Sequence, residues 1–222
     1  MAELLRDEDS TDKHLDLTRR HQRRCRKTNG ADAFAEAIEP PRLALVRALA
    51  ASVAAENTEE DASDDLELAG RDGADALRNL SAAAKEYDRK SPGENTHEAI
   101  MGSGFSDDLH SDGTVESATL ERYAVKVKAL GETHALAGRV VELTGAAAAI
   151  RAADAAAKAA IEARAMTDAG EEIAQAAVRR AYEANSLDAR KKFGRDGAER
   201  LFPRVRRKKR SSTTPPTPPV PA

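Results

Sequence analysis

Tryptophan is missing from this sequence, aromatic residues make up 3% of it, and one cysteine, Cys25, serves all 222 residues. A lone cysteine excludes an internal disulfide, so no covalent bridge braces the fold. Bulky aliphatics are scarce as well. Leu, Val, Ile and Phe together account for about one residue in six, under the roughly 20% at which disorder becomes a serious prior. No window approaches about 18 uncharged apolar residues, which excludes a membrane-spanning helix. The start, Met1-Ala2-Glu3-Leu4-Leu5-Arg6-Asp7, lacks a basic segment followed by an apolar run and does not read as a secretory signal. A cytoplasmic location is the resulting expectation. A large net charge is missing too: 35 basic against 38 acidic residues leaves −3, so full disorder is not required.

What is present is alanine. It supplies most of the 41% hydrophobic content, and it is the best helix former while filling little volume. The expected fold is therefore all-α: an antiparallel helical bundle of about four to five helices with alanine-rich packing and disordered termini. Thin helices of this kind have modest stability unless a partner or a second copy covers their faces.

The near-zero net charge hides a polarity along the chain. Residues 31–119 carry 20 acidic and 7 basic side chains, whereas residues 189–222 carry 2 acidic and 11 basic. Blocks of one sign often serve as interaction tails. Three regions follow: a charged N-terminal arm over 1–30, a helical bundle over 31–203 with a flexible loop at 91–113, and a disordered tail over 204–222. The arm turns basic at Arg19-Arg20, and its Leu15 and Leu17 are too few to make a packed face; it reads either as a short helix ending near Asn29-Gly30 or as a loose arm.

Within the bundle, Pro40-Pro41 suits a first helical turn, where a missing N–H costs nothing. Leu43, Val46, Leu49 and Val53 then form a stripe that Leu45 widens, and Glu59-Glu60-Asp61 marks a connection. A second helix carries Leu66, Ala69, Gly73, Leu77, Leu80, Ala84 and Tyr87 on one side and ends at Ser91-Pro92-Gly93. In the 91–113 loop, Ala99-Ile100-Met101 offers a short apolar turn. From Thr114, the positions Leu120, Tyr123, Val127, Leu130, His134, Ala137 and Val141 alternate by three and four, a coiled-coil-like seam. Beyond Gly145, Arg151, Asp154, Lys158 and Glu162 form a polar stripe opposite a mostly alanine face. A last helix is lined by Ile173, Ala177, Tyr182 and Leu187 and stops at Gly194. The excess of arginine over lysine, together with the alanine, suits a high-GC bacterial genome.

Chemistry-bearing motifs are thin. Glu94 and His97 have the Glu-x-x-His spacing of di-iron bundles, but such a site needs a second copy and the chain has none. His14, His21 and Cys25 align on a helix at i, i+7 and i+11, yet zinc needs more ligands, and the expected state of Cys25 is an exposed thiol on a basic arm. His134 reads as a register-setting polar residue. Gly102-Ser103-Gly104 lacks the lysine of a phosphate loop. No catalytic set, metal site or cofactor is expected. The strongest pointer is the run Arg204, Arg206, Arg207, Lys208, Lys209 and Arg210, able to bind a polyanion in a salt-dependent way. The expected function is thus a non-enzymatic helical interaction or assembly subunit that binds protein partners or itself, with a nucleic-acid-associated role through the basic tail as the alternative.

Overall fold

A computed structural model describes residues 4–102, 105–110 and 112–203. Five helices are present among them: α1 (Thr11–Cys25), α2 (Asp32–Lys90), α3 (Thr96–Met101), α4 (Ser117–Lys128) and α5 (Arg139–Leu201). No strand occurs among the described residues. The protein is an all-α helical bundle, as its composition implies, and none of these helices is long and apolar enough to cross a membrane. The chain divides into two compact units. One joins Met1–Leu49 to Glu171–Ala222; the other is the continuous stretch Ala50–Gly170. The division into a 1–30 arm and a single 31–203 bundle is therefore replaced by one that cuts through α2 and α5.

In the discontinuous unit, α1 is part of the core rather than a loose arm. Ser10 caps it by accepting from the Lys13 N–H at 3.3 Å. Arg23 and Arg24 occupy its last turn, where the helix dipole favours cations. Its buried face is His14, Leu17, Thr18, His21, Gln22 and Cys25. That face has helical spacing but few carbon-rich side chains, which is why counting leucines missed it. Ala35, Ile38 and Leu45 of α2, Val178, Tyr182 and Leu201 of α5, and Phe202 directly after it complete the core.

Two expectations about α2 are corrected here. The helix begins at Asp32, and Pro40 and Pro41 lie inside it. It then runs through Glu59-Glu60-Asp61 without a break. The stripe Leu43, Val46, Val53 is largely exposed, and the buried residue in that stretch is Leu45.

The continuous unit is aliphatic inside. Leu77, Leu80 and Ala84 of α2 meet Ile100 and Met101 of α3, Leu120, Tyr123 and Val127 of α4, and Leu143 and Ile150 of α5. Here the predicted stripe is the observed one. Gly73 makes it possible: a Cβ at that position would lie 2.9 Å from Leu120 and Val115 and 3.0 Å from Ile150. The stretches of α2 and α5 inside this unit run antiparallel. Arg164 bonds Glu59 at 2.9 Å and Glu56 at 3.3 Å, while Ser52 donates to Asp168 at 2.7 Å.

The 91–113 segment contains α3, whose Ile100 and Met101 are buried as the apolar turn suggested. Asp88, near the end of α2, accepts from the Thr96 and His97 N–H groups at 2.7 and 2.8 Å. Those bonds hold its carboxyl below the usual range. The seam from Leu120 to Val141 is not one helix. It is interrupted between Lys128 and Arg139, with Gly131 at φ 99° in a turn. His134 sits in that turn, accepting from the Leu136 N–H at 3.2 Å and packing on Tyr87 with ring centroids 4.5 Å apart. In the last helix the backbone at Gly194 is non-helical (φ 68°, ψ 178°), matching the expected stop.

Candidate functional site

The chemically interesting side chains of the discontinuous unit converge on His21. With Nδ1 protonated, His21 donates to the Leu201 carbonyl at 3.1 Å and its Nε2 accepts from the Asn185 amide at 3.2 Å. The ring stacks on Phe202 at 4.2 Å and meets Tyr182 edge-on at 5.3 Å. Asn185 also donates to the Phe34 carbonyl at 2.8 Å, and Gln22 donates to the Ala35 carbonyl at 3.2 Å. Arg24 reaches the Phe202 carbonyl at 2.7 Å. These donors tie α1, the start of α2 and the end of α5 together through backbone carbonyls.

Burial decides what this cluster can do. It holds the His21 imidazole down at about 4 and pushes the Cys25 thiol up to about 12. Cys25 is fully buried, 3.6 Å from the His21 ring, and not the exposed thiol expected of a basic arm. Burial thus disfavours both the imidazolium and the thiolate, the charged forms that a His–Cys nucleophile pair would use. Among the described residues, no three His, Cys, Asp or Glu side chains gather as a metal would require. His97 bonds Ser81 at 3.0 Å.

In the continuous unit, a cleft of about 510 Å³ opens between α2, the segment leading into α4, and α5. Its charged groups already have partners. Glu67 pairs with Arg71, Arg151 with Glu121, and Asp154 with Lys158. Asp112 accepts from the Thr114 N–H at 3.0 Å. Such a lining offers no set of convergent free groups for a small ligand.

The most distinctive surface is on α5. Val141, Gly145, Ala148, Ala152 and Ala155 follow one another at alternating steps of four and three. Ala159, Ala163, Met166 and Gly170 continue the row. Every one of the nine is exposed. Val141 and Met166, at 75% and 76%, are the two most exposed large hydrophobics among the described residues. This row lies within the continuous unit. The expected lining of the following stretch is corrected in part: Tyr182 is buried as expected, but Ile173 and Leu187 are exposed, and Ala174 and Val178 are buried in their place. The signal that could have identified the outer row was in the sequence, as three-and-four spacing of small residues rather than of leucines.

The basic run Arg204, Arg206, Arg207, Lys208, Lys209 and Arg210 lies outside the described residues. The described chain ends at Pro203, directly after the carbonyl that Arg24 holds. Compared with known proteins, the chain matches no family model, no curated protein sequence and no solved structure.

Proposed function

We propose that this protein is a non-enzymatic helical interaction or assembly subunit that binds protein through a helical face. The observation that carries the reading is the exposed row of α5 from Val141 to Gly170, where small residues would let a partner backbone approach closely. Contiguous exposed apolar surface on a soluble protein marks interaction sites. The immobilised histidine–cysteine pair supports a structural role for the most reactive side chains. Cross-linking in the source cells, followed by mass spectrometry, tests the proposal. Ala159→Arg is expected to remove the cross-links while leaving the melting curve unchanged, because Ala159 is exposed. An unchanged cross-link set with this variant overturns the reading.

A second reading is favoured by one contact. Arg24 fixes the carbonyl of Phe202 beside the exposed arginines Arg19, Arg20 and Arg23 of α1. The root of the basic tail is thereby set next to a basic helix face almost two hundred residues earlier in the chain. Together they would make one polyanion-binding surface for nucleic acid. Duplex binding across a salt series tests it, comparing the full chain with one ending at Pro203 and with Arg19→Ala/Arg23→Ala. Affinity and salt slope should fall in both variants; if neither moves, the surface does not bind nucleic acid.

A further inference from the structure

We infer that the cleft between α1 and the first part of α2 is an oxyanion site, in which Arg42 and Arg19 hold a phosphate group. The cleft lies wholly within the discontinuous unit. It shares Arg19 with the nucleic-acid reading above but depends on neither the tail nor a duplex.

The helical repeat builds the cleft. Asp12, Leu15, Asp16 and Arg19 recur at i, i+3, i+4 and i+7 and so share one side of α1. Arg42 and Val46 stand one turn apart on α2. Together these side chains line a cleft of about 290 Å³. That volume is many times the share of one water molecule, so a single bridging water does not fill it.

Arg42 is the residue that the fold itself does not use. Its Nε is buried, and no hydrogen-bond acceptor of the chain reaches it. It has no ion pair among the described residues either. A guanidinium stays charged at any ordinary pH, and a buried donor without an acceptor is costly. The nearest candidate to neutralise it is engaged elsewhere: Asp16 holds Arg20 at 2.9 Å and Arg19 at 3.6 Å. The Nε–H of an arginine and its neighbouring Nη–H form a fork that matches two oxygens of a phosphate. Arg19 comes from the opposite wall, and its long, exposed contact to Asp16 is given up cheaply. Donors from two walls suit a tetrahedral anion, which offers oxygens on several sides. A planar carboxylate offers one edge.

Charge adds a second argument. Alone, the cleft is balanced, with Arg19 and Arg42 against Asp12 and Asp16. At Arg19 and Asp16 it adjoins a second hollow, which Arg20 and Arg23 also line. The combined groove sets four arginines against two aspartates, and Arg23, like Arg42, has no ion pair among the described residues. A groove of one prevailing sign concentrates ions of the other.

Heteronuclear NMR of the arginine Nε–H groups tests the site on the full chain. The Arg42 signal is identified by its loss in Arg42→Lys. Inorganic phosphate at constant ionic strength should move that signal saturably, with a midpoint on the order of 1 mM, while chloride leaves it in place. Arg42→Gln should weaken phosphate binding about tenfold, read from the backbone amides of α1, because a charge-assisted donor pair is lost. Asp12→Asn removes an opposing charge and should tighten binding about threefold. A signal that phosphate leaves unmoved, or an affinity that Arg42→Gln does not lower, overturns the inference. An affinity that Asp12→Asn does not raise places the anion outside this cleft and has the same consequence. A short DNA duplex then distinguishes the sources of phosphate. If the duplex moves the Arg42 signal and loses affinity in Arg42→Gln, the group seated here belongs to a nucleic-acid backbone. If free phosphate alone moves it, the site takes a small phosphate ion. A duplex that binds while neither it nor phosphate moves the Arg42 signal removes the cleft and leaves the nucleic-acid reading standing.

Discussion

The two units are closed by different chemistry. The continuous unit packs leucine, isoleucine, valine and tyrosine against one another. The discontinuous unit places His14, Thr18, His21, Gln22 and Asn185 in its interior and satisfies them largely with backbone carbonyls. The first solution gains from removing apolar area from water and tolerates small shifts. The second fixes α1, α2 and α5 by directed bonds and is exacting about protonation, because a buried donor without its acceptor is costly. An alanine-rich chain with few bulky side chains can thus still close a core, provided its polar groups find the main chain.

Breaking the apolar core should have the largest effect. Leu80→Ala, at a fully buried position, is expected to cost about 3–5 kcal/mol in urea unfolding followed by circular dichroism. Hydrogen exchange should show the loss concentrated in residues 50–170. Gly73→Leu attacks the same core from the opposite direction. Its side chain would collide with Leu120, Val115 and Ile150, for an expected loss of about 3 kcal/mol by the same measurement.

The polar core is broken by acid. His21 in the unfolded chain titrates near 6.5 and in the folded chain at about 4. Between those values the unfolded state binds the proton and the folded state does not. The contribution is therefore fully present above pH 6.5 and is lost as pH falls towards 4, by about 3 kcal/mol in total. Unfolding free energies at pH 7 and pH 4.5 should show this loss in the wild type. His21→Phe should remove most of the pH dependence while lowering stability at pH 7. An identical pH slope in wild type and variant would falsify the role given to His21. The smallest expected effect separates a buried glycine from an exposed one: Gly145→Ala should stabilise α5 by about 1 kcal/mol, since the new methyl group meets nothing in the chain.

The sequence made the continuous unit readable. Leu66, Gly73, Leu77, Leu80 and Ala84 recur at helical spacing, and the same residues line its core. The discontinuous unit was less legible for a physical reason. Hydrophobic periodicity detects faces that bury carbon, and the face of α1 buries imidazole, hydroxyl, amide and thiol groups instead. Pro40-Pro41 misled in another way. Their steric preference for a helix start is real, yet the surrounding packing keeps them within α2. The α5 row fell between the two cases: its spacing was visible, but alanine is abundant everywhere, and only exposure sets the outer row apart from the inner one.

The division of the chain also sets a timetable. The two parts of the discontinuous unit are separated by the whole of Ala50–Gly170. At about 5–20 residues per second, a ribosome needs roughly 6–24 s to pass through that insert, so the first forty-nine residues emerge well before their partners exist. The continuous unit can form during that interval. A helix whose inner face is histidine, threonine and glutamine can wait in water at little cost, where a leucine face would be prone to aggregate. The carbonyls of Leu201 and Phe202, bound by His21 and Arg24, are made only after the insert, and with them α1 closes onto the end of α5.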